Sequence, residues 1–194
     1  MKINRGCVCK KDGFCCCVKV HDNIVEWRGT NMGLFDFLKK KNTDEVLGAP
    51  IEGEAVVSAE ISDPTFGQEI LGKGMAIKPA VGKVYAPANG TITMVFDTKH
   101  AISMVTEGGA ELLIHVGLDT VSLGGAPYTI HVEADTKVKK GDLIGEFDMD
   151  AIKAAGLETI TPIVICNSDD FKTVECYTGK MVKPGDDIMK LGKE

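Results

Sequence analysis

From Leu47 to the C-terminus, glycine or proline recurs every eight to twelve residues, and the intervals are short runs rich in Val, Ile and Thr. An interval of that length holds one strand and its turn but leaves no room for a row of long helices. The pattern predicts an all-β chain, an antiparallel β-sandwich or barrel with at most short helices. One internal stretch, MDAIKAAGLE (residues 149–158), has helical content and stops around Gly156, which predicts a single short surface helix.

The same region echoes itself. APIEGEAVV (residues 49–57) resembles APANGTITM (86–94), and KVKKGDLIGEF (137–147) resembles KMVKPGDDIMKL (180–191). Each places a glycine-containing turn before alternating apolar residues, so a duplicated hairpin motif around one shared core is expected. APxxG and KxGD are also common turn chemistry, and chance recurrence stays open at this point.

At 194 residues and 44% hydrophobic content the chain can bury one core. Its net charge of −6 argues against a nucleic-acid partner, which needs a concentrated basic face. No run of about 18 apolar residues could span a bilayer.

The N-terminus reads differently. Residues 1–31 hold Cys7, Cys9, Cys15, Cys16 and Cys17, with only Cys166 and Cys176 elsewhere. Adjacent cysteines do not meet bridge geometry among themselves, and CVC and CCC lack the C-x-x-C spacing of a zinc grip. The segment has no clear period and no signal-peptide h-region. Its six basic and three acidic side chains leave the remainder with a net charge of −9. Residues 1–31 are therefore expected to be a non-native or disordered extension, with Met32 the natural start. MGLFDFLKKKN (32–42) sets Leu34, Phe35, Phe37 and Leu38 beside three lysines, as in an amphipathic or flexible tail spanning 32–46, and the main domain is expected over 47–194.

Two of the four histidines, His100 and His115, flank a glycine pair in otherwise apolar segments. With Glu107 and Gly108 as a two-residue loop, partner numbers sum to 215 and His100 lies opposite His115. A loop of Gly108 and Gly109 makes them diagonal neighbours on one face; a three-residue loop puts them on opposite faces. Leu112, Leu113, Ile114 and Val116 collar His115, which favours a neutral ring, and Gly117 permits close backbone approach. A neutral imidazole with one nitrogen bonded to backbone presents the other as a nucleophile. Thr98 and Asp119 lie near in sequence. Without G-x-x-x-x-G-K-[ST], H-E-x-x-H or H-x-H, the constellation suits transfer of a phosphoryl group onto a ring nitrogen. A pair of satisfied core histidines would share the same spacing.

Five segments, GGAELLIHVGLDTV (108–121), FDTKHA (96–101), ILGKGMAIKP (70–79), VYAPANGTI (84–92) and TPIVICN (161–167), resemble the glucose-type enzyme IIA of the bacterial phosphoenolpyruvate-dependent sugar phosphotransferase system. The resemblance covers residue 32 to the end. It implies a free-standing phosphotransferase component in which His115 accepts a phosphoryl group on Nε2 from the phosphocarrier protein HPr. The group then passes to a cysteine on the IIB domain of a sugar permease. It implies that His100 holds the phosphoryl oxygens and that Thr98 hydrogen-bonds into the pair. Phe66, Ile70, Leu71, Phe96, Leu113 and Val121 match rim positions that dock partners, and Asp63 and Asp119 match acidic positions beside the site. Pro64 and Thr65 depart from the more apolar residues usual there. The resemblance further implies a cytoplasmic location, regulatory partner proteins in some bacteria, and weak membrane-surface contact through residues 32–41. No cofactor is required, although His100 and His115 could take zinc with a carboxylate from a partner.

Two other classes are weighed. A zinc peptidase needs a third ligand and a base, and neither His21 nor His131 sits in a suitable motif. A biotinyl or lipoyl carrier needs a lysine at a tight turn, for which Lys190 is the nearest candidate.

Overall fold

The computed structural model describes residues 44–193. The extension, its cysteines, His21 and the 32–41 foot lie outside the described residues. The strands are β1 (Glu45–Gly48), β2 (Gly53–Val57), β3 (Lys73–Pro79), β4 (Lys83–Tyr85), β5 (Gly90–Val95), β6 (Ala101–Thr106) and β7 (Glu111–His115). They continue as β8 (Tyr128–Ile130), β9 (Lys137–Val138), β10 (Leu143–Phe147), β11 (Thr161–Ile165), β12 (Thr173–Cys176), β13 (Lys180–Val182) and β14 (Asp187–Gly192). The first strand begins two residues ahead of the boundary expected at Leu47.

All pairings are antiparallel, as the turn spacing predicts. An eight-stranded sheet runs β13-β2-β3-β11-β7-β6-β5-β9, and two three-stranded sheets run β4-β10-β8 and β1-β14-β12. The large order reads the same from either end when β13 is matched with β9, β2 with β5, β3 with β6 and β11 with β7. The small sheets match as β1-β14-β12 with β4-β10-β8. This is the duplication that the echo predicts, and its turns repeat bond for bond. Ala49 N–H donates to Asp186 O and Gly185 N–H to Ala49 O; Ala86 N–H donates to Asp142 O and Gly141 N–H to Ala86 O. In both KxGD turns the aspartate accepts from the lysine three residues before it, Lys139 to Asp142 and Lys183 to Asp186. Chance recurrence would not reproduce those partners.

Helix is confined to α1 (Pro64–Gly67) and α2 (Met149–Ala154), apart from short 3-10 turns. The second falls inside the stretch expected to be helical and ends before Gly156, whose φ of +77° takes the chain out of the helix. The first, a single turn, was not expected. Its signal was legible in Asp63, whose Oδ1 accepts from Thr65 N–H at 2.6 Å, followed by Pro64 at the first helical position.

The inward face of the large sheet, with Ile77, Ile92, Ile102, Ile114 and Ile163, packs with Val84, Ile144 and Phe147 of one small sheet and Leu47, Ile188 and Leu191 of the other. The outward face is also covered in part. Val56, Ala76, Ala101, Leu113 and Val164 lie under Ile61, Phe66, Leu118 and Ile160. Burial on both faces explains why ELLIH of β7 is apolar at nearly every position rather than at alternate ones. Ile163, fully buried in central β11, reports on the core. Ile163→Val is expected to cost about 0.5–1.5 kcal/mol, measured as a lower urea midpoint at unchanged slope.

Candidate functional site

The hairpin that carries the histidines differs from expectation. Its turn has three residues, Glu107 to Gly109: Thr106 N–H donates to Ala110 O at 2.9 Å, and Gly109 takes a φ of +93°. The ladder sets Ala101, not His100, opposite His115. Continued strictly, it would send the His100 side chain to the inner face with Val116. The two rings nonetheless meet, with centroids 4.7 Å apart and planes at 74°. His100 precedes β6 and follows the tight turn of Phe96 to Lys99, in which Lys99 N–H donates to Phe96 O at 2.7 Å and Lys99 has a φ of +56°. The left-handed residue breaks the alternation and turns the imidazole back to the outer face. The His100 carbonyl still accepts from Val116 N–H at 2.7 Å, so only the side chain leaves the ladder.

Each ring is held at Nδ1. His115 Nδ1 lies 2.8 Å from Gly117 O, and a carbonyl can only accept, so Nδ1 carries the hydrogen and Nε2 keeps a lone pair. His100 Nδ1 lies 2.6 Å from Thr98 Oγ1. Phe66 packs on His115 at 4.9 Å and Phe96 meets His100 edge-on at 5.4 Å. The two residues are only 3% (His100) and 7% (His115) exposed. His100 Nε2 is buried with no hydrogen-bond partner among the described residues, a cost of roughly 1–3 kcal/mol that a structural histidine would be expected to avoid. The alternative of two satisfied core histidines does not fit that orphaned nitrogen.

Burial, and then the neighbouring His115, lowers the His100 pKa to about 4. Burial also lowers that of His115; the bond to Gly117 and the charge of Asp63 oppose the shift without reversing it. Both rings are neutral at pH 7. The unfolded rings titrate near 6.5, so below that value the unfolded chain binds more protons than the folded one. Stability complete above pH 6.5 is therefore lost as the pH falls towards about 4. Thermal melts across that window are expected to show the decline, and His100→Gln, which removes one of the two groups, to make it shallower.

The other candidates sort by depth. Phe66 and Leu113 are buried in the outer-face cluster, and Leu71 and Phe96 are half-buried against it. Ile70 and Val121 are exposed at 67% and 46%, an apolar rim that faces solvent. Asp63 caps α1, with Pro64 and Thr65 in its first turn. Asp119, at a φ of +55°, leads the 3-10 turn Thr120–Leu123. Lys190 lies within β14 and pairs with Asp44 at 2.8 Å, so it is not the turn lysine a carrier domain needs. His131 pairs with Glu146 at 3.3 Å and is not among the site's contacts. Among the described residues no group of three His, Cys, Asp or Glu could hold a metal, so the pair alone lacks the third ligand of a zinc peptidase.

Sequence reasoning missed how Gly117 is seated. A Cβ there would meet Thr120 Cγ2 at 2.6 Å and Glu158 O at 2.8 Å, and its φ of +77° suits glycine. The Leu118 N–H, in the same peptide as the Gly117 carbonyl, donates to Glu158 O at 3.0 Å. Nothing local signals that contact, because the partner is forty residues away in the chain. A cleft of about 590 Å³ is lined by Val81–Lys83, Ala126, Pro127, Thr129 and Glu146–Asp148 among others, and the histidines do not line it.

Fold and site together define an antiparallel β protein in which two adjoining imidazoles lie on an outer sheet face, apart from the cleft. Residues 45–171 match the family described as phosphoenolpyruvate-dependent sugar phosphotransferase system, EIIA 1, and the chain belongs to that family. It is 49% identical over 132 residues to the beta-glucoside-specific EIIBCA component of Dickeya chrysanthemi, covering 68% of this chain and 21% of that one. It is 42% identical over 143 residues to the glucose-specific EIIA component of Halalkalibacterium halodurans, covering 74% and 83% respectively. The chain thus spans about a fifth of the EIIBCA relative and most of the EIIA relative. The solved glucose permease IIA from Mycoplasma capricolum superposes with a TM-score of 0.72 at 33% identity, covering 77% of this chain and 96% of that one.

Proposed function

We propose that His115 accepts a phosphoryl group on Nε2 from phospho-HPr and passes it to a cysteine on the IIB domain of a sugar permease. The observation that carries this reading is the hydrogen bond from His115 Nδ1 to Gly117 O, which leaves Nε2 with its lone pair on a ring whose centroid lies 4.7 Å from that of His100. In the transfer a bond forms between Nε2 and phosphorus as the bond from phosphorus to the donor breaks. His115 keeps its Nδ1 hydrogen throughout, and the carbonyl takes up part of the positive charge that forms on the ring. His100 is neutral and serves as a donor when its hydrogen is on Nε2. That tautomer follows if the Thr98 hydroxyl donates into Nδ1, and an Nε2–H so placed stabilises the oxygens of the passing group.

The exposed Ile70 and Val121 and the half-buried Leu71 and Phe96 suit docking of an apolar partner patch, which would keep water from the phosphorus–nitrogen bond. On this reading the partners are HPr and a IIB domain, no cofactor takes part, and the protein works at the cytoplasmic face of the membrane. No helix among the described residues is long and apolar enough to cross a membrane. Incubation with phosphoenolpyruvate, enzyme I and HPr is expected to add one acid-labile, base-stable phosphate, located on His115 by peptide mapping. A phosphate found on another residue would overturn the assignment.

A further inference from the structure

The tautomer of His115 depends on where one glycine carbonyl points, and glycine is the residue that holds its peptides least firmly. Gly117 cannot be replaced by a stiffer residue without the clashes described above, so the orientation has to be imposed from outside. The peptide after it is tied by Leu118 N–H to Glu158 O. The peptide before it is tied by two buried hydroxyls that converge on one oxygen. Thr120 Oγ1 donates to Val116 O at 3.0 Å, and Tyr128 OH donates to the same atom at 2.8 Å. Thr120 is fully buried, and Tyr128, 4% exposed, reaches the carbonyl from β8 of the facing sheet. A carbonyl has two lone pairs, so both are used.

We propose that Thr120 and Tyr128 are positioning residues for phosphoryl transfer. By fixing the Val116–Gly117 peptide they keep the Gly117 carbonyl aimed at His115 Nδ1, and hence keep Nε2 as the nucleophile. The kinetic part rests on the function proposed above; the tautomer part does not. Without the hydroxyls the buried Val116 carbonyl has no such partners, and rotation about Gly117 to find one swings the next carbonyl off Nδ1.

The test is nitrogen-15 NMR of the histidine rings in the full chain, unphosphorylated and near neutral pH. In the wild type His115 shows its hydrogen on Nδ1. Tyr128→Phe/Thr120→Val is expected to give a mixture of the two tautomers. Phosphoryl acceptance from phospho-HPr should then fall by about tenfold in kcat, the worth of one or two net hydrogen bonds, at an unchanged KM for HPr. Tyr128→Phe/Thr120→Ser, which restores one hydroxyl, should recover most of both effects. A folded double variant that keeps the wild-type tautomer overturns the proposal. If that variant does not fold, the two single variants decide: a shifted tautomer ratio in either supports it, and none in both overturns it. If even the wild type takes no phosphate, the proposed function falls while the tautomer result still stands on its own.

Discussion

His115→Ala is expected to take up no phosphate from phospho-HPr, a complete loss rather than a slowing. The substitution deletes the only nitrogen of the pair that is both bare and tautomerically fixed. On the proposed tautomer His100 does not substitute for it: Nδ1 is engaged with Thr98 at 2.6 Å, and Nε2 carries the hydrogen and so has no lone pair to attack with. Among the described residues, the aromatic neighbours Phe66 and Phe96 carry no nucleophile, and the Thr98 hydroxyl is engaged with His100 Nδ1. Radiolabelled phosphate from phosphoenolpyruvate, counted on the purified variant, measures this directly. Labelling of His115→Ala to the wild-type extent would show that the phosphate sits elsewhere.

His100→Gln is expected to separate acceptance from delivery. The variant still takes phosphate on His115, because nucleophile and tautomer lock are untouched, yet hands it to a IIB domain about 10²–10³-fold more slowly, the usual cost of losing one aimed donor at a developing charge. Glutamine keeps an amide donor but not the ring that Thr98 and Phe96 hold in place. Single-turnover transfer from the phosphorylated variant to IIB isolates the step. Delivery at the wild-type rate would reduce His100 to a packing residue. The pH dependence of stability is a cross-check, since the same substitution removes a buried base whose pKa lies near 4.

Much of this was legible before any coordinates. Turn residues act locally: KxGD makes the same capped turn at Asp142 and at Asp186, so the echo pointed to two copies of one hairpin, and the sheet order decided it over chance recurrence. Its spacing from His100 and its apolar surroundings singled out His115, and that collar announced a neutral ring. The loop of the hairpin was misread. Glu107 and Gly108 look like a two-residue turn, but Gly109, with its positive φ, joins it and shifts the register by one. That slip alone would have parted the histidines, and the left-handed Lys99 brings them together again. Two compensating backbone features left the conclusion standing on a different geometry.

The amino-acid order by itself thus determined the antiparallel class, the internal duplication and the identity of the two imidazoles, because these follow from short-range turn chemistry and residue type. Tertiary structure decided which face His100 occupies, which nitrogen of His115 is bare and how far each ring sits from water. Those properties depend on atoms supplied by segments remote in the chain, among them the Glu158 carbonyl, the Phe66 ring and the Tyr128 hydroxyl, and only a folded core brings such atoms within hydrogen-bonding or van der Waals reach.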